Sequence, residues 1–492
     1  VKEGEMDVSL KILFVSSEIF PFAKTGGLAD VSRSLPKALA SLGHDVRSIM
    51  PFYGCVSKGG FEIKKLSGNI RNPLSGMIFG FDLFANRSDG LTTYFVQNKK
   101  YFSRKELYGT SRGDYADSAL RFSFFSKAVL AALENLQFKP DIIHCNDWPT
   151  ALIPFYLKYK LGDDVFFQDV KSLFTIHNMA YQGVFDKIFM KAIGVPGDLY
   201  NMAGAGFYGK INFMKAGIIY ADVINTVSRR YASEIMTPEF GCGLEGLLET
   251  RENELFGILN GVDYTQWSPE NDRYIKVNYG PGSIENKKAC KKDLLEHTGL
   301  PVHEGRPLIG CVTRLVRQKG MDLLAGIMDE LKQMDIGVVV LGTGEDYYNR
   351  IFKDLARRYP ANVSVHQEFN DELAHKIEAG CDMFVMPSRY EPCGLNQMYS
   401  IKYGTIPIVR ATGGLDDAII DIDENRKRSN GFKFTPQTKE ALLEAVKRAV
   451  SAYEHKGQWR KLMIRAMSYD FSWERSAAEY GRLYRRMLIK KE

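Results

Sequence analysis

Lys24-Thr25-Gly26-Gly27-Leu28-Ala29-Asp30 sets a cation and two adjacent glycines directly ahead of an amphipathic helical pattern. Such a run can bind an anion. Glycine lets backbone N–H groups come close to a ligand. A helix N-terminus carries partial positive charge, and Lys24 adds a full one. The same letters also fit an ordinary tight turn. In the other half, Thr313-Arg314-Leu315-Val316-Arg317-Gln318-Lys319-Gly320 ends an apolar strand with two cations able to reach one anion, or with two solvated surface charges. Arg389-Tyr390-Glu391-Pro392-Cys393-Gly394-Leu395-Asn396-Gln397 follows another strand. There Gly394 is expected to open a helix whose amides face a phosphate, and Glu391 offers a carboxylate suited to sugar hydroxyls. The alternative is a helical first turn in which Glu is favoured by the dipole. His144-Cys145-Asn146-Asp147-Trp148 and Thr175-Ile176-His177-Asn178 close two further strands. One strand histidine usually serves packing, but two such polar strand ends point to a site.

These runs need strands to end at them and helices to start from them. Residues 11–17 read as a buried strand, 29–42 as a helix with Val31, Leu35, Ala38, Leu39 and Leu42 on one face, and 45–50 as the next strand. That strand–helix–strand unit predicts a parallel sheet with a right-handed crossover. Further strands are expected at 92–96, 141–144, 172–176, 223–227, 256–259, 308–313, 338–341, 363–366, 383–386 and 406–409. Helices are expected at 115–136, 320–332, 346–358, 371–380, 395–403, 438–455 and 472–488. A chain of 492 residues exceeds one core, since cores stop growing near roughly 250–300 residues. The expected division is 1–252, 253–470 and a last helix at 471–492, with the boundary in the charged stretch 249–254. Ligands in such sheets bind beyond the carboxyl ends of strands.

The net charge of +6, from 65 basic and 59 acidic residues, gives no global basic field and speaks against nucleic-acid binding. The runs Lys287-Lys288…Lys291-Lys292 and Arg426-Lys427-Arg428 read as solvated faces. Seven cysteines without CxxC spacing read as reduced, buried thiols, which predicts a cytoplasmic protein and no zinc site. No apolar run reaches the roughly 18–20 residues of a membrane span. Gly204-Ala205-Gly206-Phe207-Tyr208-Gly209 fits GxGxxG without a preceding strand, and Gly109-Thr110-Ser111-Arg112-Gly113 fits GxSxG without a buried strand before the Ser. Asp421-Ile422-Asp423, beside Asn425 and Arg426, reads as a solvated loop rather than a metal clamp.

Together KTGGLADV (24–31), HNMAYQG (177–183), NGVD (260–263), SRYEPCGLNQ (388–397) and TGGLDD (412–417) occur in the order found in one family. The chain resembles the bacterial glycogen synthases and plant starch synthases, over nearly its whole length. The resemblance implies an α/β fold of the GT-B type. Two Rossmann-like doubly wound domains face each other across a cleft, and a C-terminal helix crosses back to the first. It implies retaining transfer of glucose from ADP-glucose or UDP-glucose to the non-reducing 4-OH of glycogen or another α-1,4-glucan, with no cofactor, metal, membrane or nucleic acid involved. By resemblance Arg314 and Lys319 neutralise the leaving diphosphate. Lys24, Gly26 and Gly27 bind it from the other domain, as do amides from Cys393 through Gly394 and Leu395 to Asn396. Glu391 holds donor hydroxyls, Asp147, His177 and Asn178 line the sugar and acceptor side, Asn260 of NGVD joins the donor site, and Asp30 orients the glycine turn. Neither a covalent nucleophile nor a front-side mechanism is selected.

The chain departs from the pattern at three places. Asn396 stands where the family commonly has Thr. His144-Cys145-Asn146-Asp147 replaces a common HAHDW run. Tyr399 occupies the position of a second Glu in broader relatives, so ribose recognition does not carry over. Phe369 fits either base stacking or core packing. Rival functions are a nucleotide-sugar epimerase or a phosphorylase on the same fold, and a non-catalytic glucan-binding protein. A phosphorylase needs a pyridoxal-binding Lys that cannot be located, and a binder has no need of two anion sites.

Overall fold

The computed structural model describes residues 9–71, 80–110, 113–197, 200, 204–303 and 305–489. Ser111 and Arg112 of the GxSxG run lie outside the described residues. The chain divides into two compact units, Val1–Val227 with Ala232–Gly261 and Trp473–Glu492, and Ser228–Tyr231 with Val262–Ser472.

In the first unit, the apolar run Lys11–Val15 forms β1, buried from Ile12 onward. Helix α1 (Gly27–Ser41) lays Val31, Leu35, Ala38 and Leu39 on the core, as their helical spacing requires. The other strands of its nine-stranded sheet are β2 (Asp45–Pro51), β3 (Lys64–Ile70), β4 (Phe81–Ser88), β5 (Leu91–Gln97), β6 (Ile142–Asn146), β7 (Lys171–Ile176), β8 (Val223–Thr226) and β9 (Leu255–Gly257). Their order is β9-β8-β7-β6-β1-β2-β5-β4-β3. β3 and β4 pair antiparallel and were not foreseen in the sequence, because β3 is largely exposed and its apolar alternation is weak. Helix α2 (Ser118–Asn135) is buried nearly all round. The last helix, Trp473–Leu488, packs Trp473, Ala477, Tyr480 and Tyr484 into one core with Ile12, Phe14, Leu35 and Val46.

In the second unit, β10 (Leu308–Val312), β11 (Gly337–Leu341), β12 (Val363–His366), β13 (Met383–Met386), β14 (Ile406–Arg410) and β15 (Phe432–Phe434) form a parallel sheet in the order β12-β11-β10-β13-β14-β15. Chain order reverses direction beside β1 in the first sheet and beside β10 in the second, which sets a topological switch point in each unit. Helix α3 (Lys287–Thr298) corrects one expectation. Lys287 and Lys291, one turn apart, are buried, and only Lys288 and Lys292 face solvent. Lys287 Nζ donates to Ala379 O at 2.7 Å and Thr405 Oγ1 at 2.6 Å, while Lys291 Nζ pairs with Asp382 at 2.7 Å. Burial lowers the Lys287 pKa to about 8. Helix α4 (Asp371–Gly380) follows β12, and helix α5 (Asn396–Lys402) follows β13. The helix expected at 320–332 is two helices, Met321–Ala325 and Met328–Gln333, broken near Gly326.

Three other expectations change. Asp421 is buried and clamped by Arg448 at 2.9 Å rather than solvated. All seven cysteines are free, but Cys242 is exposed and Cys55 half-buried. Phe369 is 89% exposed, which excludes core packing. The GxGxxG run forms a hairpin of Gly206–Phe207 with Lys210–Asn212, not a strand-to-helix turn. Among the described residues no helix is long and apolar enough to cross a membrane, and no group of three or more His, Cys, Asp or Glu could hold a metal ion.

Candidate active site

At the switch point of the first sheet, the segment after β1 runs through Ser16-Ser17-Glu18 to the turn that starts α1. Lys24 pairs with Asp30 at 2.8 Å, both partly exposed. Asp30 therefore holds Lys24 rather than the turn's amides. Those amides are held by a residue the sequence reading missed. Glu18 Oε2 accepts from Thr25 N at 2.5 Å and Gly26 N at 3.4 Å, and Oε1 accepts from Thr25 Oγ1 and Tyr108 OH, both at 2.6 Å. A carboxylate just beyond a strand end, near a glycine turn, was the available signal. A Cβ built on Gly26 or Gly27 would meet nothing within 4 Å, so the outer side of the turn is open.

Beyond β6, Asp147 takes φ 56°, a left-handed conformation that a non-glycine residue adopts at some strain. Its Oδ1 accepts from His177 N at 2.8 Å, which ties the end of β6 to the end of β7. Desolvation raises the Asp147 carboxyl to about 7, against backbone N–H groups of His177 and Asn178 that lower it, with Glu18 adding a further upward push. Asn146 Nδ2 donates to Val15 O at 3.0 Å, so its Oδ1 accepts from His177 Nε2–H at 2.9 Å. That bond assigns the tautomer and leaves Nδ1 with the lone pair. Desolvation drops the His177 pKa to about 3, so the ring is neutral near pH 7. Asn178 Oδ1 accepts from Ala180 N at 3.0 Å, which fixes its side chain.

His144 belongs to the core instead. It is fully buried, with Nδ1 at 2.8 Å from Tyr484 OH and Nε2 at 2.7 Å from Thr175 Oγ1. Asn260, after β9, is buried with its Oδ1 lacking a partner. A buried acceptor left open in this way is suited to a ligand donor.

At the second switch point two loops interlock. Arg389 N donates to Gln318 O at 2.8 Å, and the Arg389 guanidinium forks onto Asp322 with two bonds of 2.7 Å. Gly320 has φ 69°, and a Cβ there would lie 2.0 Å from Pro387 O, so only glycine lets the loops approach. On this frame Lys319 Nζ meets Glu391 Oε2 at 2.5 Å, and Ser388 Oγ donates to the same oxygen at 3.0 Å. The ammonium keeps donors for an anion, and Glu391 keeps Oε1 for a hydroxyl. Arg314 is exposed, with one end of its guanidinium on Gln318 Oε1 at 3.3 Å.

The expected role of Gly394 needs correction. α5 starts at Asn396, and Gly394 sits before it in a left-handed bend at φ 70°. Asn396 Nδ2 donates to Val312 O at 2.7 Å, fastening the loop to β10. Cys393 is buried and Leu395 half-buried. The backbone of Glu391 to Cys393 rests on Gly413-Gly414, and Gly414 N donates to Glu391 O at 3.1 Å. Tyr399 stacks on Trp267 with ring centroids 4.0 Å apart, and His375 stacks on Trp267 at 3.8 Å.

Residues 11–250 match the starch synthase catalytic domain family, and residues 295–463 match glycosyl transferases group 1. The chain is 49% identical over 483 residues to a glycogen synthase of Geotalea daltonii, covering 98% of this chain and 100% of the relative. It is 46% identical over 488 residues to a glycogen synthase of Thermotoga maritima, covering 98% and 99%. The solved catalytic domain of starch synthase IV from Arabidopsis thaliana, bound to ADP and acarbose, aligns with a TM-score of 0.89 at 33% identity, over 98% of this chain and 100% of that one. Sucrose-phosphate synthase from Thermosynechococcus elongatus aligns with a TM-score of 0.61 at 18% identity over 97% and 98%, a likeness of fold.

Proposed function

The chain belongs to the glycogen synthase and starch synthase family of retaining glycosyltransferases, and on that premise we propose that it transfers glucose from ADP-glucose, with UDP-glucose as the alternative donor, to the non-reducing 4-OH of an α-1,4-glucan. The supporting observation is the Lys319–Glu391 pair at 2.5 Å, at the switch point of the second sheet. It sets a cation for a leaving diphosphate beside a carboxylate for sugar hydroxyls. ADP is favoured as the leaving group because the Arabidopsis relative was solved with ADP.

The chemistry follows from where charge develops. The bond from the anomeric carbon to the diphosphate oxygen breaks through an oxocarbenium-like state, and negative charge gathers on the leaving group. Cations already fixed in place stabilise that charge without reorganising. In this proposal Lys319, Arg314, Lys24 and the Gly27 amide serve the diphosphate, and Gly26, whose own amide is held by Glu18, contributes by having no side chain to crowd it. Main-chain amides from Cys393 to Leu395 add neutral donors, and Asn260 Oδ1 accepts from the donor. Asn396 contributes through its backbone, since its side chain is committed to Val312. Glu391 accepts from donor hydroxyls through Oε1. Asp147, neutral His177 and Asn178 hold the transferred sugar and the acceptor. The acceptor O4 forms the new bond to the anomeric carbon, and its proton goes to the departing phosphate. Glu391 is engaged through Oε2 by Lys319 and Ser388, which favours electrostatic over nucleophilic work.

Purified protein supplied with glycogen and either labelled donor tests the proposal. Incorporation of glucose from ADP-glucose in preference to UDP-glucose is the expected result. No incorporation from either donor would overturn it, and a preference for UDP-glucose would overturn the donor assignment.

A further inference from the structure

Glu18 is a buried anion that the proposed reaction does not use. It is 3% exposed, and among the described residues no Lys, Arg or His forms an ion pair with it. Burying a carboxylate without a counter-charge is unfavourable unless hydrogen-bond donors replace its water. Four donors do so here: Thr25 N, Gly26 N, Thr25 Oγ1 and Tyr108 OH. Its own backbone is pinned as well, since Ser16 Oγ donates to Glu18 O at 2.8 Å and accepts from Glu18 N at 3.2 Å. Ser17 Oγ lies 2.8 Å from the same Tyr108 hydroxyl and extends the network by one residue.

This arrangement decides which amides of the glycine turn can serve a ligand. Thr25 N and Gly26 N point inward to Glu18 and are not available to an incoming phosphate. The helix begins at Gly27; its amide and that of Leu28 are the open donors of this helix N-terminus, whereas Ala29 N already donates to Gly26 O at 3.4 Å. Gly26 and Gly27 have no atom within 4 Å of a built Cβ, so no neighbouring side chain or backbone crowds the turn at either position. The turn thus has an inner face filled by a protein anion and an outer face left for another one.

We propose that Glu18 is a positioning residue for the nucleoside-diphosphate group of the donor: by holding the inner amides and the hydroxyl of Thr25, it fixes the turn so that the first amides of α1 and the Lys24 ammonium face the diphosphate. Glu18 acts through the turn and does not touch the donor. The inference rests on the proposed transferase function and adds to it a residue that neither the family resemblance nor the sequence motifs assign. A freely hinged Gly-Gly turn would lose much of its affinity to ordering on binding, and the buried carboxylate removes that loss in advance.

The test is a comparison of Glu18→Ala and Glu18→Gln in the full chain. ADP binding is measured by calorimetry, and initial rates are measured with donor and glucan varied separately. Glu18→Gln keeps one oxygen for Thr25 N and Gly26 N, and its amide can donate to the hydroxyls of Tyr108 and Thr25. The expected result is an ADP Kd and donor KM raised at least tenfold in Glu18→Ala, with the glucan KM within twofold of the parent, and most of the loss recovered in Glu18→Gln. An unchanged ADP Kd in Glu18→Ala, or equal rises in donor and glucan KM, would overturn the inference. If Glu18→Ala does not fold, Thr25→Val removes one arm of the clamp. It must then raise the ADP Kd severalfold without moving the glucan KM, or the inference fails. A parent protein that binds ADP yet transfers no glucose would overturn the proposed function and leave the role of Glu18 to be judged on ADP binding.

Discussion

Lys319 Nζ and Glu391 Oε2 lie 2.5 Å apart, with 16% and 9% of their side chains exposed. One residue ends the loop after β10 and the other lies in the loop after β13, so the pair exists only because Gly320 and Arg389 lock those loops together. A cation chosen for the diphosphate is therefore also a structural partner.

Lys319→Ala should cost both activity and stability. Removing one member of a poorly solvated pair leaves the other charge uncompensated, a loss of about 3 kcal/mol. Arg314 is exposed and makes one side-chain bond, so Arg314→Ala should lower turnover while stability changes by less than about 0.5 kcal/mol. Urea unfolding of both variants, beside their rates, separates the two effects. Equal stability losses would contradict this division of roles.

Glycine substitutions should split in the same way. Gly320→Ala places a Cβ 2.0 Å from Pro387 O at φ 69°, and should destabilise by more than about 2 kcal/mol. Gly26→Ala adds its Cβ to empty space at an extended φ of -156°, and should leave the melting temperature nearly unchanged while raising the donor KM severalfold. A Gly26→Ala protein with the parent's donor KM would remove the glycine turn from the donor site.

Asp147 carries a pH signature. Its carboxyl titrates at about 7 in the folded chain against about 3.9 when unfolded. Between those values the native state binds the extra proton, so this residue's contribution to stability is full at low pH and is lost as pH rises through 7. Asp147→Asn should remove that loss. The difference in urea midpoint between parent and variant should then move in the variant's favour from pH 5 to pH 8. An unchanged difference would show that the carboxyl is not held up by burial.

Much of this was legible in the sequence. β1, α1 and β2 follow from apolar spacing, and five of the six strands of the second sheet were foreseen from short apolar runs; the edge strand β15, three residues long, was not. Strand ends then pointed to Lys24, Asp147, Arg314, Lys319 and Glu391 beside the two switch points, and to His177 one strand away, after β7. Other features depend on contacts that spacing does not carry. Lys287 and Lys291 read as solvated because a charge run does not reveal which helical face is buried. Gly394 reads as a helix start, whereas its left-handed φ delays the helix to Asn396. Glu18 escaped because its partners Thr25 and Tyr108 are 7 and 90 residues away. His144 and His177 share a local pattern, yet only the three-dimensional packing of Tyr484 assigns the first to the core.

The most direct test is product analysis after incubating the protein with ADP-glucose and a defined maltooligosaccharide. The predicted product is one glucose longer per transfer, joined at the non-reducing 4-OH by an α-linkage visible in its anomeric proton signal. Free glucose alone, a β-linkage, or an unextended acceptor would contradict the assignment.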